Sequence, residues 1–337
     1  MRRLLSPGRL LAAGIALLGL VFLILWLTPS SEYIFLPDRA RPVEPLVKVA
    51  GHHPKPGAGG IYYVDIRLRK ATLLEKLFPQ ARDGGELVPA RYIQAPGQSD
   101  KQRHQADLRQ MSLSQTIAAA VALRAAGYKV VAHPTGALVD ATAPGLPAAG
   151  RIQPTDVIVS IDGSPVRTPG DLRRLIHSHP VGATLRVGVR RGSDLRQVTV
   201  KSVADPHQGG APIVGVSVES AYDIHLPVSV KIDAGDVGGP SAGLAFALDI
   251  LEELGRDVDH GYRVAATGEI HLDGSVGPIG GIVEKTIGVR RSGIDVFLVP
   301  AGDNARAAKR QAGKVRIIPV QSFQQALRVL ATLGRKT

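Results

Sequence analysis

Two blocks of this sequence hold side chains whose types and spacing could do chemistry. The first runs Ala234-Gly235-Asp236-Val237-Gly238-Gly239-Pro240-Ser241-Ala242-Gly243. It follows the alternating stretch Val228 to Asp233, which reads as a strand. It precedes an apolar run with Leu244, Leu248 and Leu251 at helical spacing and Glu252-Glu253 off that face. Ser241 thus sits where a glycine-rich turn feeds a helix, a place rich in free backbone N–H groups that stabilise a developing oxyanion. A serine there is equally suited to capping the helix. The second block is Thr267-Gly268-Glu269-Ile270-His271-Leu272-Asp273-Gly274, followed by Val276-Gly277-Pro278-Ile279-Gly280-Gly281-Ile282-Val283-Glu284-Lys285. A lysine taken alone belongs on the surface. Neither residue is catalytic by its own local context.

Taken together, the pair has a coherent chemistry. A serine hydroxyl is a weak nucleophile until a base removes its proton. A lysine serves as that base when burial disfavours its ammonium form and lowers its pKa. Other chemistries are excluded or unsupported. Cysteine is absent, which removes disulfides, thiolate metal sites and a cysteine nucleophile. No Gly-x-x-x-x-Gly-Lys-Ser/Thr loop and no His-Glu-x-x-His motif occurs. Gly239 to Gly243 also fits a Gly-x-Ser-x-Gly elbow, but that arrangement needs an acid and then a histidine downstream. His271 is the last histidine. Glu284, His271 and Asp273 read as turn or surface residues.

The two blocks together resemble the proteolytic domain of Lon proteases, whose signature is a Gly-Pro-Ser-Ala-Gly turn and a downstream Gly-Gly-x-x-Glu-Lys. The resemblance runs from about Ala211 to Leu333. It implies Ser241 as nucleophile, Lys285 as catalytic lysine and Thr267 close to that lysine, with Gly239, Pro240, Ala242 and Gly243 forming the oxyanion turn. It implies no cofactor and no metal. Lon-type domains commonly form rings, so a homo-oligomer, a hexamer by resemblance, is an expectation too. Ile294 to Val299 reads as a buried strand. Ser322 reads as the cap of a last helix burying Phe323, Ala326, Leu327 and Leu330.

Between Tyr128 and about Val203 lies a different pattern. Val157 to Ile161 is a short apolar strand, Asp162-Gly163 a turn, and Thr168-Pro169-Gly170-Asp171 a helix start ahead of Leu172, Leu175 and Ile176. Leu185, Val187 and Val189 alternate, Gly192-Ser193 turns, and Leu195 to Val203 returns. The stretch Ala143 to Gly150 and the phrase Gln153 to Gly163 resemble PDZ domains of bacterial proteases. Thr155 stands where that family usually has glycine. The resemblance implies binding of an extended peptide by strand addition, with His133 to Val139 as the binding loop and strand.

The rest of the chain must place these modules. From Leu10 to Leu27 no residue is charged, and as a helix the run would span ~27 Å, enough to cross a bilayer. Arg2, Arg3 and Arg9 precede it and Glu32 and Asp38 come after it, which places the N-terminus in the cytoplasm and the remainder outside. Pro29 to Pro45 reads as a spacer. Ile61 to Arg69 reads as one strand, Pro79 to Lys101 as a long loop, and Ser112 with Gln115 as the capping box of a helix ending at Gly127. That strand and helix resemble the opening of a Lon proteolytic domain, so the PDZ module would be an insertion.

The expected class is α+β in four parts. Residues 1–30 are cytoplasmic tip and transmembrane anchor, 31–127 a spacer and strand/helix region, 128–205 the PDZ domain and 211–335 the Lon-like domain. The formal charge of +12 is scattered and aromatics make up 4%, which favours a solvated basic surface and no nucleic-acid partner. The expected function is ATP-independent cleavage of unfolded or flexible proteins at the outer face of the cytoplasmic membrane, with a peptide ligand on the PDZ module. A catalytically silent membrane-bound PDZ scaffold and an α/β-hydrolase-type esterase are the rivals.

Overall fold

The computed structural model describes residues 7–52, 59–79, 82–94, 98–206 and 209–336. Arg2 and Arg3 of the basic flank, and Pro96-Gly97 of the expected loop, lie outside the described residues. Helix α1 (Pro7–Leu27) contains Leu10–Leu27, a stretch long and apolar enough to cross a membrane, with none of it buried inside the protein.

The stretch after α1 is not a spacer. Strand β1 (Pro29–Pro37) is the middle of a three-stranded antiparallel sheet, between β3 (Ile66–Thr72) and β4 (Glu86–Pro89). Its prolines fall at the strand ends, where no ladder N–H is lost, and Tyr33 and Ile34 are buried. The short helix α2 (Leu73–Leu77) leaves β3 through a Thr72/Glu75 capping box. The expected single strand from Ile61 to Arg69 is two. β2 (Gly60–Tyr63) joins a mainly parallel sheet and β3 joins the β1 sheet, with the break at Val64-Asp65. At the break the Asp65 carboxylate turns back to accept from Ile66 N at 2.7 Å, a local bond that competes with strand continuation.

Helix α3 (Asp100–Ala125) starts a dozen residues earlier than Ser112. Its capping box is Ser99 with Gln102, and Ser112 lies mid-helix. The helix ends at the expected place, where Gly127 takes φ 91°, the left-handed conformation that a helix end favours in glycine. The mainly parallel sheet runs β2, β10 (Arg263–Ala266), β11 (Val296–Pro300), β12 (Arg316–Val320). Helix α5 (Gly243–Glu253) is buried along nearly its whole length. One hydrophobic core takes Val43, Ile61, Met111 and Ala118 from before residue 127 and Leu244, Phe246, Leu248, Val264, Leu298 and Phe323 from after it.

Residues 131–225 form a second unit with its own core, including Ala137, Val139, Ile158, Ile161, Leu172, Leu185 and Val187. Its sheet order is β8 (Asp194–Lys201), β7 (Thr184–Arg191), β6 (Val157–Ile161), β5 (Val131–Thr142), β9 (Val216–His225). Helix α4 (Pro169–His177) starts with a Thr168/Asp171 capping box. The sheet continues past residue 205 to His225, because β9 pairs along the length of β5. Thr155 adopts φ 70°, which costs a β-branched residue ~1–2 kcal/mol. Its Oγ1 accepts from Arg109 Nε of α3 at 2.8 Å, a tie between the two units.

Candidate active site

Helix α6 (Ile282–Arg291) begins at Gly281, whose φ of 65° suits glycine, and carries Lys285 inward. The lysine is 2% exposed, and its Nζ lies 2.5 Å from Ser241 Oγ and 3.3 Å from Thr267 Oγ1. Thr267, fully buried, donates its hydroxyl to Ser241 O at 3.0 Å, so its lone pairs face the amine. Gly268 N donates to the same carbonyl at 2.9 Å. Two donors on one oxygen fix the backbone of the half-buried Ser241. The turn is closed from α3 as well: Ser114 Oγ donates to Pro240 O at 3.0 Å, and Gly239 N donates to Asp107 O at 2.8 Å. Gly239 needs its φ of 85°, and a Cβ on Gly243 would come within 2.6 Å of Ser114 Oγ.

Burial, opposed by the charge of Asp65, lowers the Lys285 pKa to about 8. The bonded neighbour of the Ser241 hydroxyl is therefore an amine whose pKa is lowered to about 8, not an imidazole. Of the expected oxyanion residues, Gly239 uses its N–H on Asp107 O of α3 and Gly243 uses its own within the turn, on Pro240 O at 3.2 Å, and proline has none. That leaves the amides of Ser241 and Ala242 at the entrance to α5. Glu284 is not a surface residue. It is 1% exposed, and burial raises its pKa to about 7.

Asp65 carries no motif; in the sequence it is one polar position in an alternating stretch. Elsewhere Glu252, Asp257 and Asp259 bring carboxylate oxygens within 4.8 Å of one another. Glu252 there accepts from Val258 N and Asp259 N, Asp259 accepts from Gly261 N, and Asp257 pairs with Arg335. These bonds close the loop after α5 and account for the cluster.

Residues 213–332 match the Lon protease (S16) C-terminal proteolytic domain, and residues 123–202 match the PDZ domain. The chain combines a PDZ domain with a Lon-type proteolytic domain. It is 39% identical over 111 residues to Lon protease 2 of Bacillus subtilis, covering 32% of this chain and 19% of that one. With Lon protease of Mesomycoplasma hyopneumoniae the identity is 30% over 185 residues, 49% of this chain and 20% of the other. The chain thus spans about a fifth of the length of these relatives. Among solved structures, the PDZ domain of an SdrC-like protein from Listeria innocua is 28% identical and covers 25% of this chain and 92% of its own, with a TM-score of 0.23. The pairing of domains supports a peptidase role.

The PDZ domain does not offer its peptide edge where the sequence suggested. Strand β5, which contains His133 to Val139, is paired with β9 on one side and β6 on the other. A peptide adds to an unpaired edge. The open groove lies between α4 and Pro212 to Val218, with Leu172, Ile176, Val214 and Val216 in its wall. Elsewhere the PDZ strands meet the Lon-type domain. Asp140, Glu219, Pro240, Glu269 and His271 line one cavity, and His271 Nδ1 lies 3.5 Å from Glu219 Oε2. His271 is thus an inter-domain contact rather than a free turn residue.

Proposed function

We propose that this chain is a serine endopeptidase acting through a Ser241–Lys285 dyad, without ATP, on unfolded or flexible proteins. The observation that carries the reading is the enclosed Lys285 amine 2.5 Å from Ser241 Oγ. Neutral Lys285 takes the Ser241 proton as Oγ attacks the peptide carbonyl. The carbonyl electrons move to oxygen, held by the amides of Ser241 and Ala242, and the ammonium then protonates the leaving amine. Water repeats the sequence on the acyl-enzyme. Thr267 orients the amine.

The peptidase body in this reading is discontinuous. Residues 31–127 and those from about 226 to 335 build it around their shared core, and the PDZ domain is inserted between. Helix α1 anchors the chain with the body outside the cytoplasm. The groove between α4 and Pro212 to Val218 takes a substrate or regulatory peptide, and a homo-oligomer is compatible with the fold.

The test is cleavage of a fluorescently labelled unfolded protein by the full chain in detergent micelles, without nucleotide. Ser241→Ala and Lys285→Ala should each lose at least ~10³-fold in kcat with circular dichroism unchanged. Cleavage that survives both substitutions would reject the dyad. A wild type inert toward every unfolded substrate, with and without peptides on the PDZ groove, would favour the scaffold.

A further inference from the structure

We propose that Asp65 is the positioning residue of this site, acting through its charge on Lys285 to stabilise the ammonium that forms when Lys285 accepts the serine proton. The proposal rests on the dyad reading above and adds a third group to it.

The geometry begins with α6. Gly281, Lys285 and Gly288 stand four and three residues apart and so share one face. A Cβ on Gly281 would come 2.8 Å from Ile66 Cδ1, and one on Gly288 would come 3.4 Å from Val64 Cγ2 and 1.8 Å from Asp38 O. The face that carries Lys285 is therefore seated on the chain neighbours of Asp65. Only glycine permits the approach at Gly288. Asp65 lies at the break between β2 and β3, with its carboxylate folded back onto Ile66 N, the residue that touches α6.

Charge points the same way. Asp65 is the carboxylate whose charge acts on Lys285, and Lys285 acts in return on Asp65. The other charged groups that bear on Asp65 are largely neutralised in pairs. Asp38 is bonded to Arg41 at 2.9 Å and lies 3.6 Å from Arg67, and Asp107 of α3 is bonded to Arg103 at 2.8 Å. Glu284, beside Lys285 in sequence, feels Glu86 of β4. Burial raises the Asp65 pKa, and the Lys285 charge opposes that rise.

Atoms and charge balance within the step. The serine proton goes to Lys285 Nζ, the carbonyl π electrons go to oxygen as the Oγ–carbon bond forms, and no proton moves to or from Asp65 in the step. An enclosed ammonium in the field of a carboxylate costs less to create than one alone.

The experiment is a pH profile of cleavage by the full chain in micelles, paired with a ¹³Cε NMR titration of Lys285 in the Ser241→Ala background, which needs no turnover. Asp65→Asn should lower kcat about tenfold at alkaline pH with KM little changed. It should also move the acid limb and the NMR midpoint below the wild-type value of about 8, because a charge that favours the ammonium is gone. Asp65→Glu should restore part of both. A midpoint unmoved by Asp65→Asn overturns the proposal and leaves the dyad intact. A loss of kcat with an unmoved acid limb likewise overturns it, since that is the mark of a merely structural residue. A Lys285 that titrates near an ordinary lysine value in both proteins overturns the dyad itself.

Discussion

Two basic side chains close to the Ser241 turn are shifted in opposite directions. Lys285 is enclosed, feels the charge of one carboxylate, and has its pKa lowered to about 8 by burial. His271 is half-buried at the seam with the PDZ domain, and its pKa is raised first by its bond to Glu219, with Glu269 and Asp273 adding to the effect. Desolvation acts on both. It wins where counter-charge is scarce and loses where three carboxylates surround the group. The first environment favours a neutral amine, and the second favours the charged form of a side chain that ties two domains together. In the proposed mechanism, proximity to Ser241 therefore does not decide which residue serves as base. The balance of burial and charge does.

The largest way to sharpen this contrast, after loss of turnover itself, is the pH dependence of stability in Lys285→Met. In the folded chain the lysine titrates near 8, against an ordinary value of 10.5. A depressed lysine contributes stability above its unfolded pKa that is lost as pH falls toward its folded one. Wild type should weaken relative to Lys285→Met between pH 10.5 and 8, by ~3 kcal/mol at 1.36 kcal/mol per pKa unit, with no further change below. Denaturant titrations at pH 7, 8, 9 and 10 measure it. A constant difference between the two proteins would mean that the lysine is not held in a hostile site, and the contrast with His271 would collapse.

The same contrast explains which parts of the molecule were legible in the sequence. The nucleophile turn and the start of α6 are local. Gly239, Gly243 and Gly281 are glycines because of a positive φ or a close approach, and such requirements leave fixed spacings. The region from residue 29 to 101 is the opposite case. β1 finds its partners at Ile66–Thr72 and Glu86–Pro89, pairings that no local pattern specifies. Two Ser-x-x-Gln boxes, at Ser99 and at Ser112, compete for the start of α3. The first is used because Ala106 and Met111 find burial against the body even though polar residues surround them. Asp65 is not legible for the same reason, since the lysine its charge acts on is more than two hundred residues away. The groove of the PDZ domain was misplaced because edge exposure depends on β9, which lies beyond the segment that carries the PDZ pattern.

The smallest effects should come from the His271 side. Its raised pKa means that the bond to Glu219 stabilises the fold fully below the ordinary histidine value of 6.5 and fades as pH rises through the folded value. Glu219, whose pKa is lowered first by His271, sets the other limit, since its share is lost as pH falls below its ordinary 4.5 toward the folded value. The pair is partly exposed, so His271→Ala should cost less than ~1 kcal/mol at pH 6, and the cost should shrink toward pH 8. Turnover of the basal reaction should stay within ~10-fold of wild type, because the proton path from Ser241 to Lys285 does not pass through the imidazole. A double-mutant cycle of His271→Ala with Glu219→Gln, read by denaturant titration at pH 6 and pH 8, isolates the coupling. Coupling that is larger at pH 6 than at pH 8 identifies a titrating tie between the PDZ sheet and the Lon-type domain. A loss of turnover as deep as that of Lys285→Ala would instead put the histidine in the chemistry and restore the esterase-like reading in which it serves as base.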